Sequence, residues 1–163
     1  MNAASKPAAA ESRTRILAID YGRRRIGIAV ADSAVGIAEP LATLERVNRN
    51  EDMRRLRELA REHRVKQILV GLPLRLDGTR GEMAEEAERF AQRVRKQIGI
   101  PVQLVDERLS SWEAERKMEE EFGKQLRSLS RKKGESKISV DSIAAVVILR
   151  EFLSAHQPAA EDI

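Results

Sequence analysis

The chain has 163 residues, 34% of them charged and 42% hydrophobic. That balance describes one folded domain with a sizeable core and excludes a disordered chain. The net charge of +4 is a mild bias toward an anionic partner. The absence of cysteine excludes disulfides and thiolate zinc sites, and no apolar run is long enough to span a bilayer, so a cytoplasmic protein is expected.

Residues 1–13 are rich in alanine but interrupted by Lys6, Pro7 and Glu11, and read as a disordered tail rather than a signal peptide. Residues 14–155 read as the single folded domain, and 156–163, with His156, as a flexible tail. Arg15 to Ile19 is short, apolar and rich in Ile and Leu, which predicts a buried strand ending at Asp20. Tyr21-Gly22 makes a tight turn, followed by Arg23, Arg24 and Arg25 and a second strand over Ile26–Ala31. Gly27 within it marks a close backbone approach or a bulge. A third extended stretch runs from Gly36 to Leu44, with Pro40 placing it at an edge.

Asn50 has the character of a helix N-cap, with Met53, Leu56, Leu59 and Ala60 at helical spacing behind it and His63 at the helix end. Lys66 to Gly71 predicts a fourth strand, followed by a turn-rich loop through Gly78 that holds Arg75. Thr79 to Glu82 fits a capping box for a helix with Met83, Ala87, Phe90, Val94 and Ile98 on one face, stopped by Gly99 and Pro101. Val102 to Val105 predicts a fifth strand that runs into Asp106-Glu107-Arg108. Ser110 to Glu113 fits another capping box, and Trp112 reads more readily as packing than as a base-stacking residue. From Gly123 to Lys137 periodicity fails and basic residues dominate, among them Arg131, Lys132, Lys133 and Lys137. Ser139 to Leu153 predicts the last helix, with Asp141 in its first turn.

Three adjacent strands with short turns form an antiparallel meander, whereas strands separated by helices run parallel. The first, fourth and fifth strands therefore end along one edge, where open α/β sheets bind ligands. That edge gathers Asp20, the Gly71-Leu-Pro73 loop and Asp106-Glu107, and Asp141 can join them. Taken singly, each acid has an ordinary structural explanation: turn bonding, a salt bridge or a helix cap. Taken together they form a hard-oxygen set of the kind Mg²⁺ uses to organise water and phosphate. Arg23 to Arg25 and the basic loop would track a phosphate backbone, or simply face solvent.

Four motifs in order resemble the YqgF/RuvX-type family. They are Asp20-Tyr-Gly-x-x-x-Ile-Gly-x-Ala29; Val70-Gly-Leu-Pro-Leu74 with Asp77-Gly78; Asp106-Glu-Arg-Leu-Ser110; and Lys137-x-x-x-Asp141-x-x-Ala-Ala145 with Ile148-Leu149. The resemblance implies a ribonuclease H-like α/β fold. In this chain that means a five-stranded mixed sheet, with strands 1–3 antiparallel and strands 4 and 5 parallel to strand 1, flanked by helices. It also implies a bacterial cytoplasmic hydrolase, a nuclease dependent on Mg²⁺ or Mn²⁺, described either as a Holliday junction resolvase or as the enzyme maturing the 5′ end of pre-16S rRNA.

Asp20, Glu107 and Asp141 match the acidic metal positions, with Asp106 ranked below Glu107 because it can orient the turn. Arg108 and Lys137 are candidates for steadying phosphate charge. Arg75 and Ser111 stand where relatives often carry Asn and Thr, and Arg75 could add a backbone contact. The expected partner is nucleic acid: pre-rRNA first, branched DNA second. A non-catalytic module binding ribosomal RNA or assembly proteins is the competing class. Neither a monomer nor a homodimer is singled out.

Overall fold

The computed structural model describes residues 14–41, 43–75, 77–106, 120 and 140–155. The apolar run before Asp20 is a strand, β1 (Arg15–Asp20), paired antiparallel with β2 (Arg25–Asp32) so that Asp20 faces Gly27. Two short strands, β3 (Ala38–Pro40) and β4 (Leu44–Glu45), pair antiparallel with β2. The single third strand expected from sequence is thus two, and among the described residues the sheet has six strands rather than five. Pro40 explains the break, since it has no N–H to continue a ladder. The Leu41 N–H still reaches the Ile28 carbonyl at 2.8 Å, after which the chain leaves β2 and returns at Arg25–Ile26.

β5 (Val65–Leu72) runs parallel to β1, and β6 (Val102–Asp106) parallel to β5. The strand order is β3-β2-β1-β5-β6, with β4 also on β2. This is the mixed topology anticipated for the antiparallel and parallel strands, and it brings the ends of β1, β5 and β6 to one edge.

Among the described residues, three helices cover the sheet: α1 (Arg49–Glu62), α2 (Glu82–Ile98) and α3 (Val140–Ala155). The cap of α1 is Asn48, not Asn50; its side chain accepts the Glu51 N–H at 2.8 Å. The capping box expected at Thr79 does not form. Asp77 takes both the Thr79 hydroxyl, at 2.6 Å, and the Thr79 N–H, at 2.9 Å, into its own turn, and α2 begins after Gly81 without a side-chain cap. Gly99 ends α2 at φ 75°, the left-handed conformation that favours glycine.

Strand alternation sends successive side chains to opposite faces. Ile16, Ala18, Ala29, Ala31 and Leu69 pack on α3, while Leu17, Ile19, Ile28, Ile68 and Val70 pack on Met53, Leu56, Phe90 and Val94 of α1 and α2. Each fully buried large aliphatic or aromatic side chain contributes roughly 1.5–3 kcal/mol relative to exposure. Among the described residues, no helix is long and apolar enough to cross a membrane.

Candidate active site

Asp20 closes β1 on the face that carries α3, by the alternation Ile16, Ala18, Asp20. Its cross-strand partner is Gly27. A Cβ on Gly27 would lie 1.9 Å from the Asp141 carbonyl oxygen, 2.2 Å from its carbon and 2.9 Å from the Ser142 nitrogen. The first turn of α3 therefore rests backbone to backbone on β2, beside Asp20, a contact that only glycine permits. Directly opposed residues in an antiparallel pair have Cα atoms about 4.5–5.5 Å apart. The backbone of Asp141 thus lies beside the strand pair that carries Asp20, although the two residues are far apart in sequence.

Arg25 secures the second of them, with its Nε 3.5 Å from Asp141 Oδ2. The position also suits a carboxylate electrostatically, since Asp141 lies in the first turn of α3, at the positive end of the helix. The side chain of Ser142 behind it is fully buried.

β5 lies between Asp20 and the third acidic segment. Ile19 is in register with Val70, and Gly71 with Val105, so Asp106 sits one residue beyond the level of Asp20, two strand spacings or about 10 Å away. Val105 packs against the core beneath α3, so alternation puts Asp106 on the α1/α2 face, opposite Asp20 and Asp141. Glu107, Arg108, Arg131, Lys132, Lys133 and Lys137 fall outside the described residues, as do Trp112 and the capping box expected at Ser110. Among the described residues no group of three or more acidic, His or Cys side chains could hold a metal ion. Of the three acids expected to hold a metal, the described residues include Asp20 and Asp141.

The turn after Asp20 is braced from behind. A Cβ on Gly22 would lie 2.3 Å from the Arg25 carbonyl oxygen, so the turn closes only with glycine there. Arg46 donates to the Gly22 carbonyl at 3.3 Å and to the Tyr21 hydroxyl at 3.1 Å, and its Nε donates to Asp52 at 3.2 Å. Asp52 is 2% exposed and also accepts the Val47 N–H at 3.1 Å. The Arg46 guanidinium lies over the Tyr21 ring at 5.1 Å and the Phe90 ring at 5.7 Å. Burial pulls its pKa down, but the bonds to Tyr21 and Asp52 outweigh that and raise it overall. Tyr21 in turn donates to Glu86 at 3.3 Å, which ties the turn to α2.

The arginines after the turn divide by role. Arg23 donates to Glu86 at 3.0–3.2 Å and lies 3.7 Å from Glu82. That hydrogen bond chiefly raises the Arg23 pKa and lowers that of Glu86. Arg23 thus clamps α2, a contact the sequence did not show. Arg24 is exposed, and Arg25 holds Asp141. Arg75 turns the loop through backbone bonds to Thr79 and Gly78, and its guanidinium lies over Gly81 at the start of α2.

Sequence reasoning missed Arg46 and Asp52. The available signal was an aspartate in the first turn of α1, six residues after an arginine that follows a strand. It also missed the reason for Gly27, although it flagged a close approach there.

The profile described as "RuvX: Holliday junction resolvase" matches residues 14–155. A protein named "Putative pre-16S rRNA nuclease" from Anaeromyxobacter sp. (strain K) is 42% identical over 144 residues, covering 88% of this chain and 99% of the relative. One of the same name from Koribacter versatilis is 41% identical, covering 85% of this chain and 86% of the relative. Among solved structures, T. thermophilus RuvC in complex with Holliday junction substrate aligns over 87% of this chain and 94% of that one, with TM-score 0.52 and 18% identity. That likeness identifies the fold as the ribonuclease H-like one of the RuvC resolvases.

Proposed function

Since the chain belongs to the RuvX family of nucleases, we propose that it is a metal-dependent endonuclease acting in 5′-end maturation of pre-16S rRNA. The observation that carries the chemistry is the seating of Asp141 on Gly27, the direct partner of Asp20. The rRNA assignment draws on the relatives' names.

Asp20 and Asp141 are hard-oxygen donors, which suits Mg²⁺ or Mn²⁺. Together with Glu107 they would hold the ion, and Asp106, on the other face, would orient the turn that carries Glu107. When bound, the ion supplies an activated water and neutralises charge on the phosphate. Asp20 is held by the sheet and by the braced turn behind it, which fixes the backbone from which its carboxylate projects. Arg25 orients Asp141 and offsets the repulsion between the two acids before metal and substrate arrive. Arg24 and Arg75, with Arg108, Arg131, Lys132, Lys133 and Lys137, would meet the phosphates flanking the cut. Arg23, already engaged by Glu86, would contribute less.

The test incubates labelled 5′-extended pre-16S rRNA and a four-way DNA junction with the protein in Mg²⁺, Mn²⁺ or chelator. The expected result is metal-dependent incision of the RNA. Asp20→Asn and Glu107→Gln should still bind RNA while cleavage falls by about 10³-fold. Cleavage of the junction alone, by a dimer able to cut two symmetric strands, would replace rRNA maturation with resolution. Binding without cleavage of either substrate by the wild type would leave a binding module.

A further inference from the structure

A second feature lies at the far end of the sheet. A cleft of about 530 Å³ opens where α1 ends and β5 begins. Its rim carries Arg57, Arg61, Arg64 and Lys66, its floor includes Ile98 and Ile100, and no carboxylate lines it. Arg57, Arg61 and Arg64 follow one another at i, i+4 and i+7, a single stripe of α1 and its exit.

Ion pairing elsewhere on these helices explains why the stripe stays positive. Glu51 and Glu58 are both taken by Arg54, Glu88 by Arg80, Glu86 by Arg23, and Asp52 by Arg46. Arg57 spends one N–H on the Gln97 carbonyl, at 3.0 Å. Among the described residues, Arg61, Arg64 and Lys66 have no carboxylate within ion-pairing distance. The positive charge continues up the same face. Arg93 on α2 has its pKa lowered first by burial and then by Arg49, Arg46 and Arg89.

We propose that this cleft binds the phosphate backbone of an RNA arm extending from the cleavage site, at a point remote from the carboxylates. The proposal rests on nucleic acid being the substrate. Cations with no carboxylate among them suit a polyanion. The apolar floor suits the sugar face of a strand. The row of Arg57, Arg61 and Arg64 along α1 and its exit, with Lys66 beside it, matches the repeating charge of a polymer better than a short acidic peptide. Lys66 and Gly71, which is level with Asp20, are five residues apart on β5, so the cleft lies roughly 17 Å along the strand from the level of the acids. That is within reach of an RNA arm of several nucleotides.

The test measures anisotropy of a fluorescein-labelled, 5′-extended pre-16S rRNA fragment in chelator, across a salt series. Arg61→Gln/Arg64→Gln is compared with Arg54→Gln/Arg80→Gln, which removes the same charge from carboxylate-paired positions. Thermal melts check that each variant folds. The first variant should bind about tenfold more weakly, with a log–log salt slope shallower by about 1.4–1.8, as for two lost phosphate contacts. The control should lose less than half as much. Equal losses in the two variants would overturn the proposal, because net charge alone would then govern binding. So would an unchanged RNA affinity in the first variant accompanied by lost binding of a poly-glutamate peptide, which would mark a site for an acidic protein. Binding is read without metal, so a failure to cleave would count against the nuclease reading and leave this test intact.

Discussion

On the α3 side, β1 and β2 present Ile16, Ala18, Asp20, Gly27, Ala29 and Ala31; on the other side they present Leu17, Ile19, Ile26, Ile28 and Val30. Toward the Asp20 end, beyond Ile16, the first face is floored with small residues, so α3 can descend there until its backbone touches β2 at Gly27. The second is built of large side chains that hold α1 and α2 off the sheet and fill the space between. The two helix layers differ to match. α3 buries Ile143 and then Ala145 through Leu149 without a break, the pattern of a helix enclosed on nearly all sides. α1 and α2 bury one stripe each and turn arginines outward. Close approach on one face brings two acids together, and thick packing on the other supplies the stability that holds them there.

The largest effect should come from breaking the close approach. Gly27→Ala places a methyl group where the Asp141 carbonyl now sits, and the first turn of α3 must move. Metal-dependent cleavage should fall about hundredfold, the scale expected when a reacting group shifts by an ångström. Stability should fall by about 1–3 kcal/mol, as for overpacking. Cleavage rates and urea melts of the same sample would show both. Full activity in this variant would mean that the contact does not position Asp141.

A pair of neighbouring substitutions separates the faces more finely. Ile28→Ala removes a fully buried side chain from the thick face and should cost about 2–5 kcal/mol, while the folded fraction cleaves normally. Ala29→Leu, one residue on, overfills the thin face. It should cost about 1–3 kcal/mol and reduce cleavage in the folded fraction as well. If both variants lost stability and neither lost activity per folded molecule, the contrast between the faces would have no functional meaning.

Much of this was legible in the sequence. Apolar runs gave the long strands, and their spacing gave the parallel and antiparallel pairings, because few topologies connect such elements. Asp20 was visible as an acid at a strand end, and Gly27 as a place of close approach. What covered Gly27 was not, since the contact joins residues remote in sequence. Local competition misled the cap assignments: Asn48 and Asn50 are both good caps, and Asp77 captured Thr79 before it could cap α2. The arginines were the least legible. Whether one meets phosphate or carboxylate depends on three-dimensional neighbours, and Arg23 turned to Glu86.

A smaller effect concerns that clamp. Arg23 holds the Glu86 carboxyl below its ordinary pKa. A pKa lower in the folded state than in the unfolded one adds stability above the unfolded value, and that contribution is lost as pH falls through the folded value. Wild type should therefore melt slightly above Glu86→Gln at pH 7, with the advantage gone in acid below the carboxylate range. Because the group is exposed, the advantage should also shrink in high salt. A difference that persists at pH 2 would assign the effect to packing.

Calorimetric titration of Mn²⁺ into the wild type, Asp20→Asn, Asp141→Asn and the double variant bears most directly on whether the two acids act as one site. If they hold one ion between them, each single substitution should weaken binding by at least tenfold, and the double variant should be scarcely worse than either single. Two independent losses that simply add, or wild-type binding retained in either single variant, would show that Asp20 and Asp141 do not share a metal.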